Sequence, residues 1–224
     1  MAWLIGIAAC VAAFWGLGRL LFPRYGWTQA ITISFDTPHG LVSGTATQTI
    51  SIKISPRIFP DAGGPLTDFT GEAVAVGLGD GRYVFMLLTR QVVSVLGDSV
   101  CEVDPGVRGM QPAERFRLLA SQKEPLPIPE KALPPMVMFD DMTKFQTIQH
   151  VPIHTASEIL GHGYTFSGAE IVVTRTPSRH TDHLHDLLPW LPIRPHDPIV
   201  SIGRYPHGHP LCGVSSRSFI SDRA

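Results

Sequence analysis

Apolar residues fill the first stretch of the chain almost without a break. From Ala2 to Leu17 there is no charged residue, and Arg19 is the one charge before Pro23. As a helix, residues 2–22 would rise about 32 Å, against a bilayer hydrocarbon core of about 30 Å. The pattern therefore predicts an uncleaved, single-pass transmembrane helix over 2–22. Trp3, Trp15, Tyr25 and Trp27 suit the interface, and Arg19 can snorkel outward. A cleaved signal peptide would need a basic leader before the apolar run, which is missing. Ile7-Ala8-Ala9-Cys10 loosely resembles a lipoprotein cleavage box, but the run stays apolar after Cys10.

The period then changes to two. In Thr28–Asp36, Ile31, Ile33 and Phe35 alternate with Thr32, Ser34 and Asp36, the mark of a strand with one buried face. Thr37-Pro38-His39-Gly40 carries Pro and Gly where a β-turn wants them. Alternation resumes through Ile50, Ile52 and Ile54, so the two runs predict a long hairpin. The prolines and glycines of Pro56–Phe69 predict a loop. Thr70–Leu78 reads as a strand, Gly79-Asp80-Gly81 as a tight turn, and Arg82–Leu88, apolar on both faces, as a covered central strand. Residues 91–101 favour a helix over a strand, and Gln111–Gln122 forms a clearer one, with Pro112 at its start. Glu124–Pro135, with five prolines, predicts an extended connector. Beyond it follow a short strand at Met136–Phe139, another at His150–Ile153, a short helix at Ala156–Leu160 closed by Gly161, and a strand at Ala169–Arg175. From Pro177 a His- and Pro-rich tail encloses the apolar run Leu187–Ile193. The expected fold class is α+β: a predominantly antiparallel sheet with a few short helices, as a single domain over 23–224 behind the transmembrane helix.

Several of these stretches resemble a group of uncharacterised alphaproteobacterial proteins of similar length that begin with a hydrophobic segment. They are Phe35–Thr45, Gly71–Val76 with Leu78–Gly81, Met138–Asp141, Glu170–Thr174 and Leu188–Leu191. The resemblance implies one folded unit in a bacterial inner membrane. It carries no activity and no catalytic residue.

Charge narrows the classes. A net charge of -1 gives no bulk attraction to nucleic acid or anionic lipid. Arg19 and Arg24, both C-terminal of the apolar run, place the body on the cytoplasmic side. Cys101 and Cys212 could form a disulfide only in an oxidising compartment, and two free thiols are the alternative.

Chemistry-bearing candidates are sparse. His180, His183 and His185, with Asp182 and Asp186, are a histidine-rich tract that neutral imidazole chemistry suits to zinc. Neither a helix nor a strand aims all three imidazoles one way, and a solvated polar linker is the competing reading. Asp140 and Asp141 are adjacent, so on a strand they face oppositely and read as a turn. Gly213-Val214-Ser215 lacks the strand-to-helix setting of a nucleophile elbow. Gly77–Gly81 has no Lys-Ser/Thr after it and reads as a hairpin turn rather than a phosphate loop. The sequence thus predicts a non-enzymatic binding or assembly module. Its partners would be the bilayer through residues 2–22 and a membrane protein meeting its sheet edges, with no nucleic acid and no cofactor. A zinc-binding or hydrolytic protein using the histidine-rich tail is the alternative.

Overall fold

The computed structural model describes residues 23–59, 62–177, 183–192, 198–200, 205–206 and 208–221, with the backbone alone over 55–59 and 62–64. The segment 2–22 predicted to span a membrane lies outside them. Among the described residues no helix is long and apolar enough to cross a membrane. The fold is α+β, with two antiparallel sheets and four short helices among the described residues.

The first sheet is built on the alternating hairpin. β1 (Arg24–Thr37) and β2 (Gly40–Phe59) pair from Arg24↔Lys53 to Thr37↔Gly40. The odd positions of β1 from Trp27 to Phe35 are buried and the even ones half-exposed, as period two requires. β3 (Ala62–Glu72) continues the sheet beside β2, and β9 (Thr165–Thr174) beside β1. Short strands β6 (Leu126–Pro127) and β10 (Ile220–Ser221) flank it, giving the order β10-β3-β2-β1-β9-β6.

Of the stretch 56–69, predicted as a loop, residues 56–59 form the end of β2 and 62–69 most of β3. The reason lies in the hydrogen-bond phase. The Ile54 N–H donates to Pro23 O at 3.0 Å, toward β1. Pro65, opposite Ile54, therefore stands where β2 and β3 exchange no ladder bonds, and its missing N–H falls on the outer edge.

The second sheet has the order β4-β5-β7-β8: β4 (Val74–Gly77), β5 (Tyr83–Met86), β7 (Met136–Phe139) and β8 (Ile148–His150). The run predicted to be one strand from Thr70 to Leu78 breaks at Ala73 and so contributes to both sheets. β4 crosses β2 at Gly44, where a Cβ would lie 2.0 Å from Ala75 O, so only glycine fits.

Both faces of the second sheet are covered. Val84, Met86, Met136 and Met138 join the inner face of the first sheet in one core. Helices α1 (Val92–Val103) and α2 (Pro112–Ser121) pack on that core. The proline-rich stretch 124–135 belongs to it too: Ile128, Ala132 and Leu133 are buried in it. The opposite face, Phe85, Leu87, Val137 and Phe139, is covered by Leu184, Leu188, Trp190, Leu191, Leu211 and Phe219 of the tail. Within the first core a polar relay is buried. Trp27 Nε1 donates to Gln29 Oε1 (2.8 Å), Gln29 Nε2 to Gln48 Oε1 (3.3 Å) and Val92 O (3.1 Å), and Gln48 Nε2 to Glu72 O (3.4 Å). Polar groups taken out of water need such partners, and these four bonds set β1, β2, β3 and α1 in one register.

Candidate interaction surface

Three turns from separate parts of the chain meet at the end of the sandwich away from Pro23. The first joins β1 to β2. Thr37 Oγ1 donates to Gly40 O at 2.8 Å and accepts from His39 N at 3.2 Å, and Gly40 takes φ 113°, a value that disfavours a side chain. The second is the β4–β5 turn through Gly79-Asp80-Gly81. The third follows α3 (Ala156–Leu160), through Gly161 and Gly163. A Cβ on Gly163 would stand 3.1 Å from Pro38 Cγ, so this turn packs on the first.

An arginine pins the second turn to the third. Arg82 Nε and Nη2 bond Asp80 Oδ2 at 2.7 and 2.6 Å, and Arg82 Nη1 donates to Leu160 O at 2.8 Å. Tyr164 OH donates to the same Asp80 oxygen at 3.0 Å, and the guanidinium lies 4.9 Å from the centre of the Tyr164 ring. The Arg82 hydrogen bond, more than any other contact, holds the Asp80 carboxyl down to about 2. Leu41 and Ile159 are exposed at this pole, Leu41 at 64%. The network leaves Asp80 bound as a structural anion rather than poised as an acid or base. Rigidly held loops bearing exposed apolar groups suit recognition.

The sheet edge beside β3 is less open than its length suggests. Phe69 N–H donates to Asp68 Oδ1 (2.9 Å), and Phe69 O accepts from Ser221 Oγ (3.1 Å). Pro65, two strand periods away and facing the same side, has no N–H to offer. A partner strand would find mainly Thr67, which makes this a guarded edge.

The structure distributes the sequence candidates differently. His180 lies outside the described residues. His183 and His185 fall on α4 (His183–Leu187), two positions apart and so about 200° around the helix. Both are exposed, and His183 meets the Tyr83 ring edge-on at 6.3 Å. Among the described residues, no group of three His, Cys, Asp or Glu side chains is placed to hold a metal ion.

Asp140 accepts from Gln149 Nε2 at 2.6 Å. Asp141 accepts from Thr143 N and Oγ1 and pairs with Lys144 at 2.7 Å. The Lys144 bond lowers the Asp141 carboxyl to about 2. The two carboxylates thus have separate partners at a turn. Ser215 and Ser218 form a capping box around a 3-10 turn at Ser216–Ser218, which accounts for that serine cluster. Cys101, buried, and Cys212, exposed, are both free.

Sequence reasoning missed two constellations, because each joins distant segments. One is Asp80–Arg82–Tyr164. The other is His150, at the end of β8, whose ring meets His209 at 6.4 Å while Tyr205 stacks on His209 at 4.1 Å. Only the clustered glycines of the turns hinted at the pole. No family model, curated protein or solved structure matches this chain.

Proposed function

We propose that this chain is a membrane-anchored, non-enzymatic binding or assembly module, tethered through residues 2–22 with its body on the cytoplasmic side. In this reading a membrane-protein partner meets the pole formed by the three pinned turns. The observation that carries the reading is the Arg82–Asp80–Tyr164–Leu160 network. It pins the second turn to the third, and the third packs through Gly163 on Pro38 of the first, whose strand bears exposed Leu41. The pole stands at the other end of β1 from Pro23. At about 3.3 Å per residue, the 14 residues of β1 separate it from Arg24 by roughly 45 Å along the strand. Such a surface sits clear of headgroups and within reach of another protein's domain.

The test is purification of the full chain from gently solubilised membranes, beside Leu41→Asp. The wild type should bring down a partner in near-stoichiometric amount. The Leu41→Asp chain should remain in the membrane and folded yet lose that partner. A wild-type chain that always migrates alone, or a partner held equally by Leu41→Asp, defeats the assignment.

A further inference from the structure

The pole carries its charge unevenly. Asp36 and Leu41 are cross-strand partners where β1 meets β2, and both are exposed. Residues directly opposite share a face, with Cβ atoms about 5 Å apart. On α3 the adjacent Glu158 and Ile159, both exposed, set a second acid beside a second apolar side chain. β7, antiparallel to β5 with Val84↔Met138 in register, brings exposed Asp140 to the same end of the second sheet. Among the described residues, Asp36, Asp140 and Glu158 form no ion pair, and the cations that reach this end are spent. Arg82 is held by Asp80 and Leu160 O, and Lys144 by Asp141. At their other ends β1, β5 and β9 lead to exposed Arg24, Arg90 and Arg175. One end of the sandwich is therefore acidic and the other basic.

We infer that the partner segment seated on this pole is basic, a stretch that carries Lys or Arg around an apolar residue packed on Leu41. The inference rests on the proposed function and adds the partner's charge to it. An exposed acid beside an exposed leucine matches a cation flanking an apolar side chain. An acidic partner would meet like charge at Asp36, Asp140 and Glu158, and a neutral one would take their water without supplying a counter-ion. Cytoplasmic loops of membrane proteins carry Lys and Arg in excess, which is the chemistry this surface requires. A second copy of the chain fits less well. Pole against pole sets acid on acid, and pole against the basic end makes a head-to-tail contact that does not close. Copies anchored in one bilayer would also hold their basic ends at one level, roughly 45 Å from their poles along β1.

The experiment purifies the full chain from gently solubilised membranes and identifies what it retains by mass spectrometry. Raising salt from about 50 to about 300 mM should release the partner several-fold, because exposed charges are screened over that range. Asp36→Lys with Glu158→Lys should cut its recovery about tenfold at the lower salt. Glu114→Lys, on exposed α2 at the basic end, makes the same kind of charge change and should leave recovery as in the wild type. A partner that Leu41→Ala releases, but that neither salt nor the double reversal moves, overturns the basic segment and leaves the pole as the binding surface. A partner held more tightly by the double reversal, or one that proves to be a second copy of this chain, also overturns it. A chain that retains nothing under any of these conditions defeats the proposed function and this inference together.

Discussion

At the scale of single residues, the densest chemistry in the sequence and the densest in the fold are different sets. His180-Thr-Asp-His-Leu-His185 invites a metal because its imidazoles are adjacent on paper, yet adjacency places His183 and His185 on different sides of α4. Among the described residues, the imidazoles that meet are His150 and His209, which lie far apart in the chain, and no periodicity relates them. His150 is half-buried, and burial first, then repulsion from the His209 charge, pushes its pKa below 6.5. A base with a depressed native pKa binds fewer protons folded than unfolded near that pH. Its neutral form therefore contributes stability that is fully present above 6.5 and is lost as pH falls from 6.5 through the depressed value. The urea midpoint should accordingly drop between pH 7.5 and 5.5, and the drop should be smaller in His150→Gln. An identical drop in the variant would assign the effect to other groups.

At the scale of elements, most of the pattern is legible because it is local. The hairpin from Thr28 to Ile54, the covered strand β5, α2 from Pro112, and the closure of α3 at Gly161 all follow from period and caps, and each is where the pattern places it. β3 was not legible: prolines and glycines read as a loop, and only the phase of the β1–β2 ladder shows that Pro65 costs nothing there. The proline connector of 124–135 likewise belongs to the core, since Ile128 and Leu133 between the prolines are buried. The pole was half-legible, with its turn glycines visible and the Arg82 tie invisible. The crossing of β2 and β4 was not visible at all, because a lone glycine in a strand carries no such message. Gly44→Ala tests that crossing. Its methyl would sit 2.0 Å from Ala75 O, a backbone atom that can move only if the two sheets separate. We expect a loss of about 3 kcal/mol in unfolding free energy, the upper range for overpacking. Thr45→Ala, next along β2 and exposed, should cost well under about 1 kcal/mol. Comparable urea midpoints for the two variants would mean that the sheets do not pack as closely as described.

At the scale of the whole molecule, the second sheet makes the tail obligatory. Its strands are too apolar to leave either face wet, and the first sheet covers one face only. The tail residues close the other through a ring of aromatics. Phe139 lies 5.6 Å from Trp190 and 5.8 Å from Phe219, and Phe85 lies 5.9 Å from both Phe139 and Phe219. Trp190 also ties the tail back, its Nε1 donating to Met142 O at 2.9 Å. Aromatic pairs at these separations add to what area burial alone supplies. If the tail were an appendage on an independent sandwich, removing the Trp190 ring would change little beyond the tail itself. If it is an integral layer of one cooperative unit, Trp190→Ala should cost about 3–5 kcal/mol. It should also lower the urea midpoint reported by far-ultraviolet circular dichroism, dominated by the first sheet, as much as that of a probe in the tail. Coincident, shifted transitions place sheet and tail in one unit. A tail that melts early while the sheet keeps its wild-type midpoint would divide the chain in two and leave Phe85, Leu87, Val137 and Phe139 as a solvent-facing apolar surface, which a soluble, monomeric intermediate could not sustain.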